Sequence, residues 1–227
     1  MLYWVMNRRV AKYLFYAVWL TIVAIPFITF AKNTDLNAVI GNKVLLLNSF
    51  QRVSGMFAFT LIVSQIVLGA FLDRWVQVLG AFAYRLHVIQ GLVAYGLILS
   101  HPVFQLLITF EISGVFSEAL RTIFPTFASS QELYLTFGKM GFVIATVTIV
   151  AGYFRTNRFL RRYWRIFHML NYLLFYFIFF HSEGVGSDVG TLPFSLFRWA
   201  AFLGITGIAI YRFGFQPFIL AKQVKKE

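Results

Sequence analysis

The chain has no cysteine among its 227 residues. Disulfides, iron–sulfur clusters and thiolate chemistry are therefore excluded. Acidic residues are scarce, with eight Asp and Glu against twenty Lys and Arg. Only 12% of the residues are charged, where a soluble domain carries about 25%. Such a chain cannot cover a soluble surface. There is no glycine-rich dinucleotide fingerprint, no phosphate loop and no HExxH zinc motif. No internal repeat or low-complexity segment is evident.

What is present is apolar. Hydrophobic residues make up 59% of the chain and aromatic residues 19%, and the uncharged runs approach the ~20 residues that cross a bilayer. The fold class is all-α: an integral membrane bundle whose partner is the lipid bilayer. Six spans are predicted, over residues 13–31, 53–72, 81–108, 133–154, 163–181 and 192–213. Pro26 is expected to kink the first, and Pro193 opens the sixth. Lys139 and Arg198 lie near span ends, where each can snorkel. Arg8, Arg9 and Lys12 precede an apolar run too long for a signal peptide, so that run is read as a span. Between spans, LNAVIGNKVLLLNSF (36–50) reads as a short helix on the membrane surface, and HSEGVGSDVG (181–190) as a flexible turn.

The net charge of +12 could point to nucleic acid. It does not here, because the charges fall between spans. Six spans put both termini on one side. That side collects Arg8, Arg9, Lys12, Arg74, Arg85, Arg155, Arg158, Arg161, Arg162, Arg165, Arg212, Lys222, Lys225 and Lys226, against Asp73 and Glu227. The other side carries six charges of each sign. The positive-inside rule then places both termini in the cytoplasm of a plasma or inner membrane protein.

The four histidines carry the chemistry. His87 and His101 lie on the third span, His168 and His181 on the fifth. Both spans run in the same direction, so the histidines match in depth: His87 with His168, His101 with His181. Ionisable groups in spans are costly and usually functional. Imidazole is a strong axial ligand for haem iron, and two axial histidines leave no open position. The pattern therefore points to two b-type haems, one in each leaflet, with the histidines as iron ligands. Gly91, one turn after His87, leaves room for a flat macrocycle. Phe175 is the aromatic residue chosen to lie between the two haems. Arg85 and Arg165, just before the inner histidines, are the candidates for the inner propionates. On the outer side Arg52, Lys139 and Arg198 are placed for that role.

One spacing conflicts with an ideal helix. The fourteen-residue step from His87 to His101 returns within about 40° of the same face, but the thirteen-residue step from His168 to His181 lands about 140° away. Either the fifth helix distorts or His181 sits beyond its last regular turn. Pro102 also suggests distortion near the outer end.

The paired histidines, with SGMFAFTLIVSQIVLGAFL (54–72), RLHVIQGLVAYGLILSHPV (85–103) and YWRIFHMLNYLLFYFIFFHSEGVGSD (163–188), resemble the ferric reductase-like transmembrane domain. This is the membrane core of ferric-chelate reductases and NADPH oxidases. The resemblance covers about residues 10–215. It implies a six-helix bundle around two stacked haems. Electrons would enter from a cytoplasmic flavin (FAD or FMN) of an NAD(P)H reductase domain or protein, and leave to an extracytoplasmic acceptor, ferric iron or dioxygen. The chain stops where many members continue into flavin and nicotinamide domains, so the flavin is expected only through a partner or a missing domain. A relative, the haem-binding membrane subunit of the periplasmic methionine sulfoxide reductase system, implies a partner reductase as acceptor instead. A transporter or proton channel using the histidines as relays is the reading from another class. It is disfavoured because no Asp or Glu falls within a predicted span.

Overall fold

A computed structural model describes residues 8–158 and 160–216. Its elements are helical, with no strand among the described residues. In chain order they are α1 (Arg8–Lys32), α2 (Leu36–Ile40), α3 (Lys43–Ala70), α4 (Leu72–Leu79), α5 (Ala81–Ser113), α6 (Phe116–Arg121), α7 (Ser130–Tyr153), α8 (Trp164–Met169), α9 (Asn171–Val185) and α10 (Phe194–Ala209). A single 3-10 turn, Leu160–Arg162, precedes α8, and α10 runs on into a π-helical stretch, Ile210–Phe215.

Five helices are long and apolar enough to cross a membrane: α1, α3, α5, α7 and α10 with its π-helical extension. The chain is therefore a multi-pass membrane protein. The predicted fifth span is not among the five. It divides at Leu170 into the six residues of α8 and the fifteen of α9. The break is local and capped. The Leu170 N–H donates to the Phe167 carbonyl at 3.1 Å, a tightened last turn, and the Asn171 amide donates to the His168 carbonyl at 2.8 Å.

The surface helix expected over 36–50 is mostly something else. Only α2 is a separate short helix, N-capped by Asp35, whose carboxylate accepts from the Asn37 and Ala38 amides. From Lys43 the chain already belongs to α3, capped by the Asn42 side chain on the Leu45 amide. Helix α3 has 28 residues and α5 has 33, about 42 and 50 Å long at 1.5 Å per residue. Both exceed a ~30 Å hydrocarbon core. They project together beyond it, joined by Phe50 stacked on Phe104 and by the Lys43–Glu111 ion pair. Helix α5 also runs through Pro102 without ending. It stops at Gly114, which takes a left-handed φ of 68° that suits glycine.

Helix α3 is the centre of the packing. Of its apolar stretch 56% is buried, against 11% for α1 and α5. Met56, Phe59, Ile62, Val63 and Ile66 of α3 form one core with Leu174, Phe175 and Phe179 of α9 and Phe194, Ala201 and Ile205 of α10. Two antiparallel pairs, α3 with α5 and α7 with α9, dominate the tertiary contacts. Helix α1 closes one side, donating from the Trp19 indole to the Gln90 side chain of α5 at 2.8 Å. Its Thr29 hydroxyl accepts the Phe194 amide at the start of α10.

Candidate metal-ligand pairs between two helix hairpins

The two hairpins bring the four histidines together in the pairs expected from depth. The His87 and His168 rings stand 6.1 Å apart between centroids, at 73° to one another. The His101 and His181 rings also stand 6.1 Å apart, at 88°. The conflict over the thirteen-residue step resolves at the inner end. The break at Leu170 re-phases the chain between the two histidines, and His181 lies within α9, a turn before its end.

Each imidazole docks into the same kind of notch on the helix opposite. Gly55 lies under His101 so closely that a Cβ there would come within 2.9 Å of its Cε1. At Gly138 a Cβ would come within 2.6 Å of the His181 Nδ1. The corresponding contacts are 3.2 Å for Gly69 against His87 and 3.8 Å for Gly152 against His168. In the outer pair, the carbonyl four residues before each glycine completes the notch. His101 Nδ1 donates to the Gln51 carbonyl at 2.9 Å, and His181 Nδ1 donates to the Tyr134 carbonyl at 3.0 Å. A carbonyl only accepts, so Nδ1 carries the proton and Nε2 keeps its lone pair, the tautomer that a metal ligand requires. In the inner pair Nδ1 of His87 is buried without a hydrogen-bond partner, while His168 faces the backbone of Thr148, again four residues before its glycine.

The glycines reveal a repeat that inspection of the sequence missed. Gly55 and Gly69 on α3 are fourteen residues apart, and so are Gly138 and Gly152 on α7. Both steps equal the His87–His101 step. Each hairpin thus sets two glycines fourteen residues apart, on α3 or α7, against two histidines, both on α5 in the first hairpin and one each on α8 and α9 in the second. The fourteen-residue glycine spacing was the available signal.

The other predicted site residues fall as follows. Gly91 faces the Gln65 side chain, at 3.7 Å from a Cβ position, rather than a histidine ring. Phe175 is fully buried midway along α9, with its ring 5.8 Å from Phe59 and 6.2 Å from Phe179. Arg85 is exposed at the inner end of α5. Arg165 lies over the Trp164 ring at 5.7 Å, and that ring lies 5.9 Å from His168. A neighbour not singled out in the sequence, Arg155, links the hairpins at this level: it donates to the Tyr84 hydroxyl at 2.6 Å and to the Gly152 carbonyl at 3.2 Å.

The outer cations are already engaged. Arg52 donates through Nε and Nη2 to both carboxylate oxygens of buried Asp188, at 2.7 and 2.6 Å. Asn33 donates to the same carboxylate at 2.7 Å. Arg198 does not snorkel. It is 3% exposed, packs on the Phe179 and Trp199 rings, and pairs with Glu183. Lys139 donates to the Phe124 carbonyl.

The residues present fit a haem. Two imidazoles binding one iron from opposite sides, at about 2 Å per metal–nitrogen bond, put their ring centres about 6 Å apart. Both pairs have that separation. Among the described residues, no group of three His, Cys, Asp or Glu is placed to hold a metal ion. The site thus defines a class: a multi-pass membrane protein with two opposed histidine pairs at two depths. Comparison with protein-family models, with curated proteins and with solved structures finds no match to this chain.

Proposed function

We propose that this protein is a six-span transmembrane electron carrier holding two b-type haems, the activity expected of the ferric reductase-like membrane domains it resembles. The observation that carries the reading is the repeated 6.1 Å separation of His87 from His168 and of His101 from His181. The sixth crossing is the α8–α9 unit. Its histidines pair with two residues fourteen positions apart on α5, so it traverses the same ~20 Å of depth. The arginine-rich face is the cytoplasmic one.

Haem bound at each level supplies reversible one-electron chemistry. His87 and His168 would hold the inner haem, and His101 and His181 the outer. With a histidine from each side, such a site would leave no open position for a substrate and would favour electron transfer. Phe175 and Phe59 pack the space between the two levels and exclude water from it. Arg85 and Arg165 offer guanidinium forks to carboxylates at the inner level. The carrier takes electrons from a cytoplasmic reduced flavin and delivers them to ferric iron, dioxygen or a partner reductase outside. An inside-negative potential favours that direction by about 2.3 kcal/mol per electron per 100 mV.

The test is a reduced-minus-oxidised absorption spectrum of the purified protein, with haem quantified per chain. Two low-spin b haems per chain are expected. His87→Ala and His168→Ala are expected to remove the same haem, and His101→Ala and His181→Ala the other. Loss of different haems within a pair overturns the pairing. No haem, in protein expressed with ample haem supply, overturns the function.

A further inference from the structure

The described residues of the connector between α7 and α8 form backbone turns. The Asn157 amide donates to the Phe154 carbonyl, Arg161 to Asn157, and Tyr163 to Leu160, all at 2.9 Å. Beside these turns lies an open cleft of about 530 Å³ lined by Asn157, Arg158, Arg162 and Tyr163. Pockets of about 300–1,000 Å³ hold ligands well beyond the size of one inorganic ion.

The charge around this cleft is of one sign. No acidic residue occurs between Glu132 and Glu183, while five arginines fall within 155–165. Topology explains why the face is basic, since any solvated arginine on it satisfies the positive-inside rule. It does not explain why two guanidiniums, Arg158 and Arg162, line one preformed cleft beside a phenol. Arginine presents a planar fork of donors that matches the oxygens of a phosphate, and two forks address one group from two sides. Arg162 is held over the Tyr163 ring at 5.6 Å, which limits its freedom before any ligand arrives.

The position narrows the ligand. The cleft opens where a membrane-crossing helix ends, beside exposed aromatic residues: Tyr153 at 77%, Phe154 at 45% and Tyr163 at 42%. Aromatic side chains of this kind mark the headgroup level of a bilayer, and basic pockets there take anionic headgroups. We infer that the Arg158–Arg162 cleft is a phosphate-binding site, taking the phosphodiester of an anionic lipid or the phosphate of a soluble nucleotide or flavin. For a lipid phosphodiester this inference stands apart from the electron-transfer reading; for a flavin phosphate it rests on that reading, which makes a cytoplasmic flavin the electron donor.

The experiment is native mass spectrometry of the detergent-purified protein against three probes: phosphatidylglycerol, phosphatidylcholine and flavin mononucleotide. The wild type is expected to retain phosphatidylglycerol or flavin mononucleotide about tenfold more than phosphatidylcholine, and R158Q/R162Q to lose that preference. Retention of phosphatidylglycerol assigns the lipid source; retention of flavin mononucleotide alone assigns the soluble one. R158K/R162K keeps both charges without the forks and is expected to bind between the two, which covers the case of a poorly folded glutamine variant. Equal retention of all probes by the wild type, or equal retention by wild type and both variants, overturns the site.

Discussion

At the residue scale, four glycines govern how four imidazoles sit, and they do so unequally. A methyl group at Gly138 or Gly55 meets a ring at under 3.0 Å, whereas at Gly152 it meets one at ordinary contact distance. Gly138→Ala is therefore expected to displace His181, destabilise the protein by about 1–3 kcal/mol and lower occupancy of the outer haem. Gly152→Ala is expected to leave both haems bound and to cost under about 1 kcal/mol. Haem content per chain and detergent-resistant melting temperature check both. Neither pair of glycines stands out in the sequence, because glycine is common in membrane helices as a packing residue. Position on the face of His87 points to Gly91 instead. That face meets the Gln65 side chain of α3, a neighbour that the sequence of α5 alone does not contain.

At the element scale, the Arg52–Asp188 pair ties α3 to the connector after α9, with Asn33 at the end of α1 as the third member. Arg52 follows Gln51, whose carbonyl receives His101. Asp188 follows His181 by seven residues. Both carboxylate oxygens are bonded and the pair is almost out of solvent, with 16% and 4% side-chain exposure. Removing one partner leaves the other charge buried, so Asp188→Asn is expected to cost about 3–5 kcal/mol. Denaturant titration followed by helical circular dichroism measures it. An Arg52→Met, Asp188→Met double variant is expected to recover much of that loss. The break in the predicted fifth span is the second device at this scale. Asn171→Ala removes one bond to the His168 carbonyl and is expected to cost about 1 kcal/mol, with the inner haem spectrum shifting more than the outer. Redox titration of the two haems separates the two effects.

At the scale of the whole molecule, the arginine distribution and the absence of cysteine make orientation simple to test. Ser117 and Thr156 are exposed, on opposite faces in the six-span arrangement. A single Ser117→Cys protein is expected to react with a membrane-impermeant maleimide in intact cells. A single Thr156→Cys protein is expected to react only after permeabilisation. Equal labelling of both in intact cells sinks the assigned orientation. The same wide view shows why α3 lies at the centre. It supplies two histidine notches in its own hairpin and five residues of the core shared with α9 and α10, where α7 adds only Ala145 to that core.

The sequence by itself determined the membrane class, the approximate helices and the depth match of His87 with His168 and His101 with His181. Hydropathy and helical rise are local properties, and a run of apolar residues carries them wherever it packs. Only the tertiary structure decided the rest. It put the helix break at Leu170, because re-phasing His181 toward His101 requires a turn that no hydropathy profile records. It continued α3 back to Lys43 and α5 on to Ser113, because each long helix supports the other beyond the bilayer core. It also committed Arg52 and Arg198 to carboxylates within the protein rather than to a ligand. Partner choice among charges depends on which loops meet, and those meetings are set by packing across the whole chain.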